Sequence, residues 1–222
     1  PGIAAPQEEV ETWLAAQDWQ TAHDPQDATL SGSARVLARH WSDQAAADRT
    51  VLPDAALAGV LAGMAAGACP DPLHLAATYG APVLAVFRRL ATISGSTAGL
   101  VLCDASGALT FRKPVTGFAM PRFGSACPLW PLYTALGRPA QPVAATVETA
   151  GHDVRRFHVL AYCEARHPGG FSGPELREAA MLILPDVAGA EDPSVPVGPI
   201  CRVCPRAACV ARREPSILFE TV

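Results

Sequence analysis

Apolar residues recur at helical spacing over roughly the first 95 positions and at strand spacing after that. EEVETWLAAQ (8–17) reads as a short helix. SGSARVLARHWSDQAAADR (31–49) reads as a longer one, with Ser31 or Ser33 as its N-cap. DPLHLAATYGAPVLAVFRRLATI (71–93) divides into two helices near Gly80 and Pro82, with Pro82 in a first helical turn. From residue 98 the period changes. AGLVLC–DASG–ALTFRK predicts a β-hairpin that turns at Asp104–Gly107, and strands are expected at 142–149, 156–165 and 179–185. The run AMLILP predicts a strand covered on both faces. Residues 186–199, rich in Pro, Gly and acid, read as a connector into a cysteine-rich tail. No internal repeat is visible. The expected fold is α+β, with a helical region over 1–95, an α/β domain over 96–186 and the cysteine tail over 187–222.

Composition narrows the function. The 222 residues are 50% hydrophobic, enough for one or two cores, and the formal charge of −4 disfavours a chain that mainly grips phosphate backbones. The 17 basic residues include a single lysine, Lys113. The start shows no signal-peptide pattern. AALAGVLAGMAAGAC (55–69) is too short and too weakly apolar to span a bilayer, and predicts a buried helix. A cytoplasmic location with no membrane partner is expected. Reduced thiols are expected too, so the odd set of seven cysteines points to a metal or cluster site rather than a disulfide framework.

Ala76, Gly80 and Val86 match the spacing of a helix-turn-helix. However, the second helix, PVLAVFRRLA, is apolar where a DNA reader needs polar side chains, so two packed core helices are expected. H-E-x-x-H, G-x-S-x-G and P-loop patterns are absent, and the six histidines are scattered, so no enzyme is expected.

Cys201, Cys204 and Cys209 form C-x2-C-x4-C, one thiolate short of a closed site. Cys103 and Cys163 lie in apolar strand patterns and read as core. Cys69 follows the Ala/Gly stretch and carries no signal. Cys127 sits in the loop PRFGSACPLWPL and, like Cys204, precedes proline, a pairing found at iron–sulfur ligands. Cys127 is therefore the expected fourth ligand. Three-plus-one spacing favours a [4Fe–4S] cluster, with zinc and free thiols left open. Arg202, Arg206, Arg212 and Arg213 would offset the charge of a thiolate cluster, or form a solvated tail.

RRLATI (88–93), FAMPRFGSACPLWPLYTAL (118–136) and GPICRVCPRAAC (198–209) together resemble the short-chain fatty-acyl-CoA-sensing transcription regulators, including regulators of the methylcitrate cycle. The resemblance covers roughly residues 70–215. It implies a GAF-like domain that binds acyl-CoA and a [4Fe–4S] cluster on Cys127, Cys201, Cys204 and Cys209. It also implies DNA binding through a helix-turn-helix domain, which is not visible in this chain, and a homo-oligomer. On that basis the candidate cations for the CoA phosphates are Arg88, Arg89, Arg112, Lys113 and Arg122. Phe87 and Tyr162 are candidate walls of the acyl slot, although each also suits plain core.

Overall fold

The computed structural model describes residues 5–19, 29–64, 68–122, 124–151, 153–185 and 193–219. Two compact units divide the chain, Pro1–Thr97 and Ala98–Val222.

The first unit is helical: α1 (Pro6–Ala15), α2 (Gly32–Val51), α3 (Asp54–Ala62), α4 (Pro72–Tyr79) and α5 (Val83–Thr92). Ser31 caps α2, its hydroxyl accepting from the Ala34 N–H at 3.3 Å, and the Ser31 N–H donates to the Glu9 carboxylate of α1 at 2.9 Å. The Asp71 side chain caps α4, which stops at Gly80 in the left-handed conformation (φ 62°) that glycine adopts without strain. Pro82 stands at the N-cap of α5, one place before the expected first turn. Every residue of α5 from Leu84 to Ala91 is buried, so the helix-turn-helix spacing does belong to packed helices. The Ala/Gly stretch departs from expectation: within α3 only Leu57 is buried. Alanine and glycine gain so little from burial that an exposed face costs them little. Residues 65–67 of that stretch lie outside the described part.

The second unit is built on a six-stranded sheet. Its strands are β1 (Gly99–Asp104), β2 (Leu109–Lys113), β3 (Val143–Thr149), β4 (Arg156–Arg166), β5 (Leu176–Pro185) and β6 (Ser194–Val197), in the order β2-β1-β5-β4-β3-β6. All pairs are antiparallel except β3 with β6, which is parallel. The hairpin turns where its chemistry predicted: the Gly107 N–H donates to the Asp104 carbonyl at 3.0 Å, and Gly107 has φ 78°. In β5, Ala179 through Ile183 are all buried, so both faces of that central strand are covered. One sheet face carries Val101, Cys103, Phe157, Val159, Cys163 and Met181, packed against Phe118, Trp130 and helix α6 (Pro131–Leu136). Phe118 stands between Trp130 and Phe157, with ring centroids 5.1 and 5.3 Å away.

The stretch expected to be only a connector contains strand β6. Its Val195 lies opposite Val147 and its Val197 opposite Thr149. The two prolines of SVPVGP disguised it; a proline is tolerated in a short strand at the sheet edge, where its missing N–H is not required. This strand draws the cysteine tail, set apart in the sequence reading, into the same compact unit as the sheet.

Candidate functional site

Cys127 lies on the loop between β2 and α6, ahead of Trp130. Its N–H donates to the Pro199 carbonyl at 2.9 Å, and its carbonyl accepts from the Trp130 N–H at 3.0 Å. The Trp130 indole, fully buried, donates to the Gly198 carbonyl at 2.9 Å. The loop is thus stitched to the two residues that follow β6. Cys201 then opens a 3₁₀ turn, Cys201–Val203, and the Cys204 N–H closes it on the Cys201 carbonyl at 3.2 Å.

This stitching gathers Cys127, Cys201, Cys204 and Cys209 around one small pocket, completed by Pro128, Gly198, Ile200, Arg206, Ala211 and Arg212. Gly198 is required by close approach: a Cβ there would lie 2.6 Å from the Cys204 sulfur. Among the described residues, no three His, Cys, Asp or Glu side chains are grouped closely enough to hold a single metal ion. An all-sulfur donor set is the chemistry of soft metals and of iron–sulfur clusters.

Of the tail arginines, Arg202 is exposed, while Arg206, Arg212 and Arg213 are more than solvated charges. Arg212 donates from Nη1 to the carbonyls of Cys201 (3.1 Å) and Glu214 (3.3 Å), donates from Nη2 to the Arg206 carbonyl, and lies over the Phe219 ring. Arg206 donates to the Pro196 carbonyl at 2.7 Å and lies 3.9 Å from the Cys209 sulfur. Arg213 reaches back to the Cys127 loop, donating to the Ser125 hydroxyl at 3.1 Å and the Ala126 carbonyl at 2.9 Å, while its main-chain N–H points at the Cys201 sulfur at 3.4 Å. Burial raises the Cys201 thiol, but the main-chain N–H and guanidinium of Arg213 and the Glu214 N–H outweigh it, leaving the thiol below its ordinary value. Trp130, Gly198 and the clamping role of Arg212 and Arg213 escaped the sequence reading. The only trace of them there was the placing of Trp and Gly-Pro beside the cysteines.

The other cysteines lie elsewhere. Cys103 and Cys163 are buried in the sheet core, with Cys103 pushed up to about 12 by burial and then by Asp104. Cys69 belongs to the helical unit.

The candidate ligand residues fall in both units. Phe87, Arg88 and Arg89 are buried on α5. Arg88 makes a two-point ion pair with Asp48 of α2, Nε to Oδ2 at 2.6 Å and Nη2 to Oδ1 at 3.0 Å. Arg89 donates to the Leu52 carbonyl at 3.1 Å and pairs with Asp54. Carboxylates of the helical unit thus hold both guanidiniums, as a buried guanidinium requires a counter-charge. On β2, Lys113 is buried and donates to the Ala98 carbonyl at 2.7 Å. Its neighbour Arg112 donates to the carbonyls of Pro121 (2.7 Å) and Arg122, which brings the exposed Arg122 beside it. Tyr162 is half-buried on β4, its hydroxyl pKa raised by burial.

Among the described residues, no helix is long and apolar enough to cross a membrane. A family model described as "Short-chain fatty acyl coenzyme A regulator, C-terminal" matches residues 94–221. The propionyl-CoA carboxylase regulator of Cereibacter sphaeroides is 30% identical over 162 residues, covering 66% of this chain and 35% of that protein. The HTH-type transcriptional regulator PrpR of Mycobacterium tuberculosis is 28% identical over 154 residues, covering 62% of this chain and 31% of that one. The chain thus spans about a third of the length of the curated relatives it matches. A solved Mycobacterium tuberculosis transcriptional regulator shares the fold, with a TM-score of 0.72 at 23% identity over 98% of this chain and 70% of that one. With its family model matching from residue 94 almost to the end, this chain belongs to the short-chain fatty acyl-CoA regulators, a family of transcription regulators and not of enzymes.

Proposed function

We propose that this chain is the ligand-sensing part of a cytoplasmic transcription regulator, that its sheet unit is a GAF-like domain responding to short-chain acyl-CoA, and that Cys127, Cys201, Cys204 and Cys209 hold a [4Fe–4S] cluster. The observation that carries the reading is the gathering of these four thiols, one of them distant in sequence, around a single pocket. The family description and the relatives' names support the acyl-CoA part. Cys127 and the three tail thiols would be the ligands. When bound, the cluster supplies a rigid four-point crosslink between loop and tail. Arg212 and Arg213 orient the ligand-bearing segments through their main-chain carbonyls, and the donors near Cys201 and Cys209 offset thiolate charge.

The CoA phosphates would be met by Arg112 and Arg122, which the bond from Arg112 to the Arg122 carbonyl brings together, and by Lys113. A role for Arg88 and Arg89 would require a phosphate to replace Asp48 and Asp54. Binding selects one arrangement of the sensing unit and so biases a separate DNA-binding domain, within a homo-oligomer.

Anaerobically purified protein should be brown, with about four iron and four sulfide per chain. Colourless protein with one zinc would overturn the cluster and leave the fold. Calorimetry should show propionyl-CoA or a near relative binding more tightly than CoA, with each added methylene contributing about 0.8 kcal/mol until the slot is full. If no thioester gives heat or thermal stabilisation while the cluster is intact, the acyl-CoA assignment fails.

A further inference from the structure

Arg213 touches both sequence-distant halves of the cysteine pocket. Its main-chain N–H is on the Cys201 sulfur, and its guanidinium spans 87–88 residues back to Ala126 and Ser125. That stretch leads directly into Cys127. It is also tied to the sheet at two further points. The Ala126 N–H donates to the Tyr133 hydroxyl at 2.6 Å, and that hydroxyl donates to the Gly107 carbonyl of the β1–β2 turn at 3.2 Å. At the other end of the loop, Arg112 of β2 holds the carbonyls of Pro121 and Arg122. The loop is therefore held at its start, where Arg122 lies, by the sheet and at its end by the tail.

We propose that Arg213 is a positioning residue that couples filling of the cysteine pocket to the placement of the loop carrying Arg122. The inference rests on the proposed occupancy of the pocket. A group bound by Cys201 fixes its sulfur, and the Arg213 N–H that points at that sulfur is fixed with it. The guanidinium then holds Ser125 and Ala126 in a single position. Without such a group the clamp rests on the hydrogen bonds of Arg213 alone. Coupling of this kind is reciprocal: a ligand that orders the Arg122 loop favours the filled pocket to the same degree.

Hydrogen exchange, read by mass spectrometry in peptides over 119–127 with β3–β5 peptides as reference, tests this. In metal-free protein, Arg213→Ala should speed exchange at the Ala126 and Cys127 amides about tenfold, the scale of lost charge-assisted bonds at a half-exposed site, with the reference peptides unmoved. Reconstitution of wild-type protein with iron and sulfide should slow 119–127 as one block. In Arg213→Ala the slowing should stop at Cys127, and cluster colour should bleach faster under an iron chelator. Arg213→Lys, which keeps the charge but not the two-point fork, should recover part of both. If Arg213→Ala also disturbs the reference peptides, the lysine variant carries the comparison. Unchanged exchange in the metal-free variant, or block protection equal to wild type in the loaded one, overturns the coupling. Wild-type protein that takes up no iron overturns the cluster reading instead, while the metal-free comparison still decides the role of Arg213.

Discussion

Asp48→Ala separates a structural role for Arg88 from a ligand-binding one. Asp48 is 3% exposed and Arg88 9%, and two hydrogen bonds of 2.6 and 3.0 Å join them across α2 and α5. Gln44 adds a third bond to the same carboxylate, at 2.9 Å. Removing the carboxylate strands a guanidinium in a buried site. The cost of breaking a buried pair this way is about 3–5 kcal/mol, against the 5–15 kcal/mol that typically holds a whole domain together. With a urea slope of roughly 1–3 kcal/mol per molar, the midpoint for the helical unit should fall by one to several molar. The double variant Asp48→Leu with Arg88→Met replaces both partners by apolar groups of similar size, so most of the loss should return. Urea titration followed by circular dichroism at the helical wavelength, over wild type, Asp48→Leu, Arg88→Met and the double variant as well as Asp48→Ala, measures the coupling directly. A loss below about 1 kcal/mol for Asp48→Ala, with additive effects around the cycle, would mean that the pair behaves as an exposed one. The structural reading would then be refuted, and Arg88 would return as a phosphate cation.

Three further outcomes follow from the same geometry. Gly198→Ala places a methyl group 2.6 Å from the Cys204 sulfur, so that side chain must swing away; iron retained per chain should fall, with an overpacking cost of about 1–3 kcal/mol by thermal melting. Trp130→Phe keeps the ring stacked on Phe118 but leaves the buried Gly198 carbonyl without its donor, and should lower stability by about 1–3 kcal/mol in denaturant titration. The Cys69 thiol, pushed up to about 11 by burial and by the neighbouring Asp71, holds about a hundredth of the ordinary thiolate fraction at pH 8; its alkylation by iodoacetamide, read by peptide mass, should be correspondingly slow and should climb as pH rises toward 11.

The sequence by itself determined the elements whose signal is local. Periodicity alone separated a helical first part from a strand-rich second part, because a buried face repeats every 3.6 residues on a helix and every two on a strand. Asp104–Gly107 marked its own turn, Gly80 marked the end of α4, and the apolar surface of α5 excluded a DNA-reading helix, since each of these depends only on neighbouring residues. The four thiols could be chosen because cysteine spacing and Cys-Pro are local signatures too. Only the tertiary structure decided how those thiols meet. Strand β6, hidden behind two prolines, delivers the tail to the Cys127 loop through parallel pairing with β3, which no local pattern announces. The fate of the arginines was likewise invisible. Arg88 and Arg89 read as cations at a core edge, yet their partners Asp48 and Asp54 lie 40 and 35 residues away. Arg213 read as tail charge until the fold placed it 2.9 Å from the Ala126 carbonyl. A guanidinium is long, always charged and satisfied by any acceptor within reach, so its role follows from which acceptors the packing brings near, and packing is a property of the whole unit.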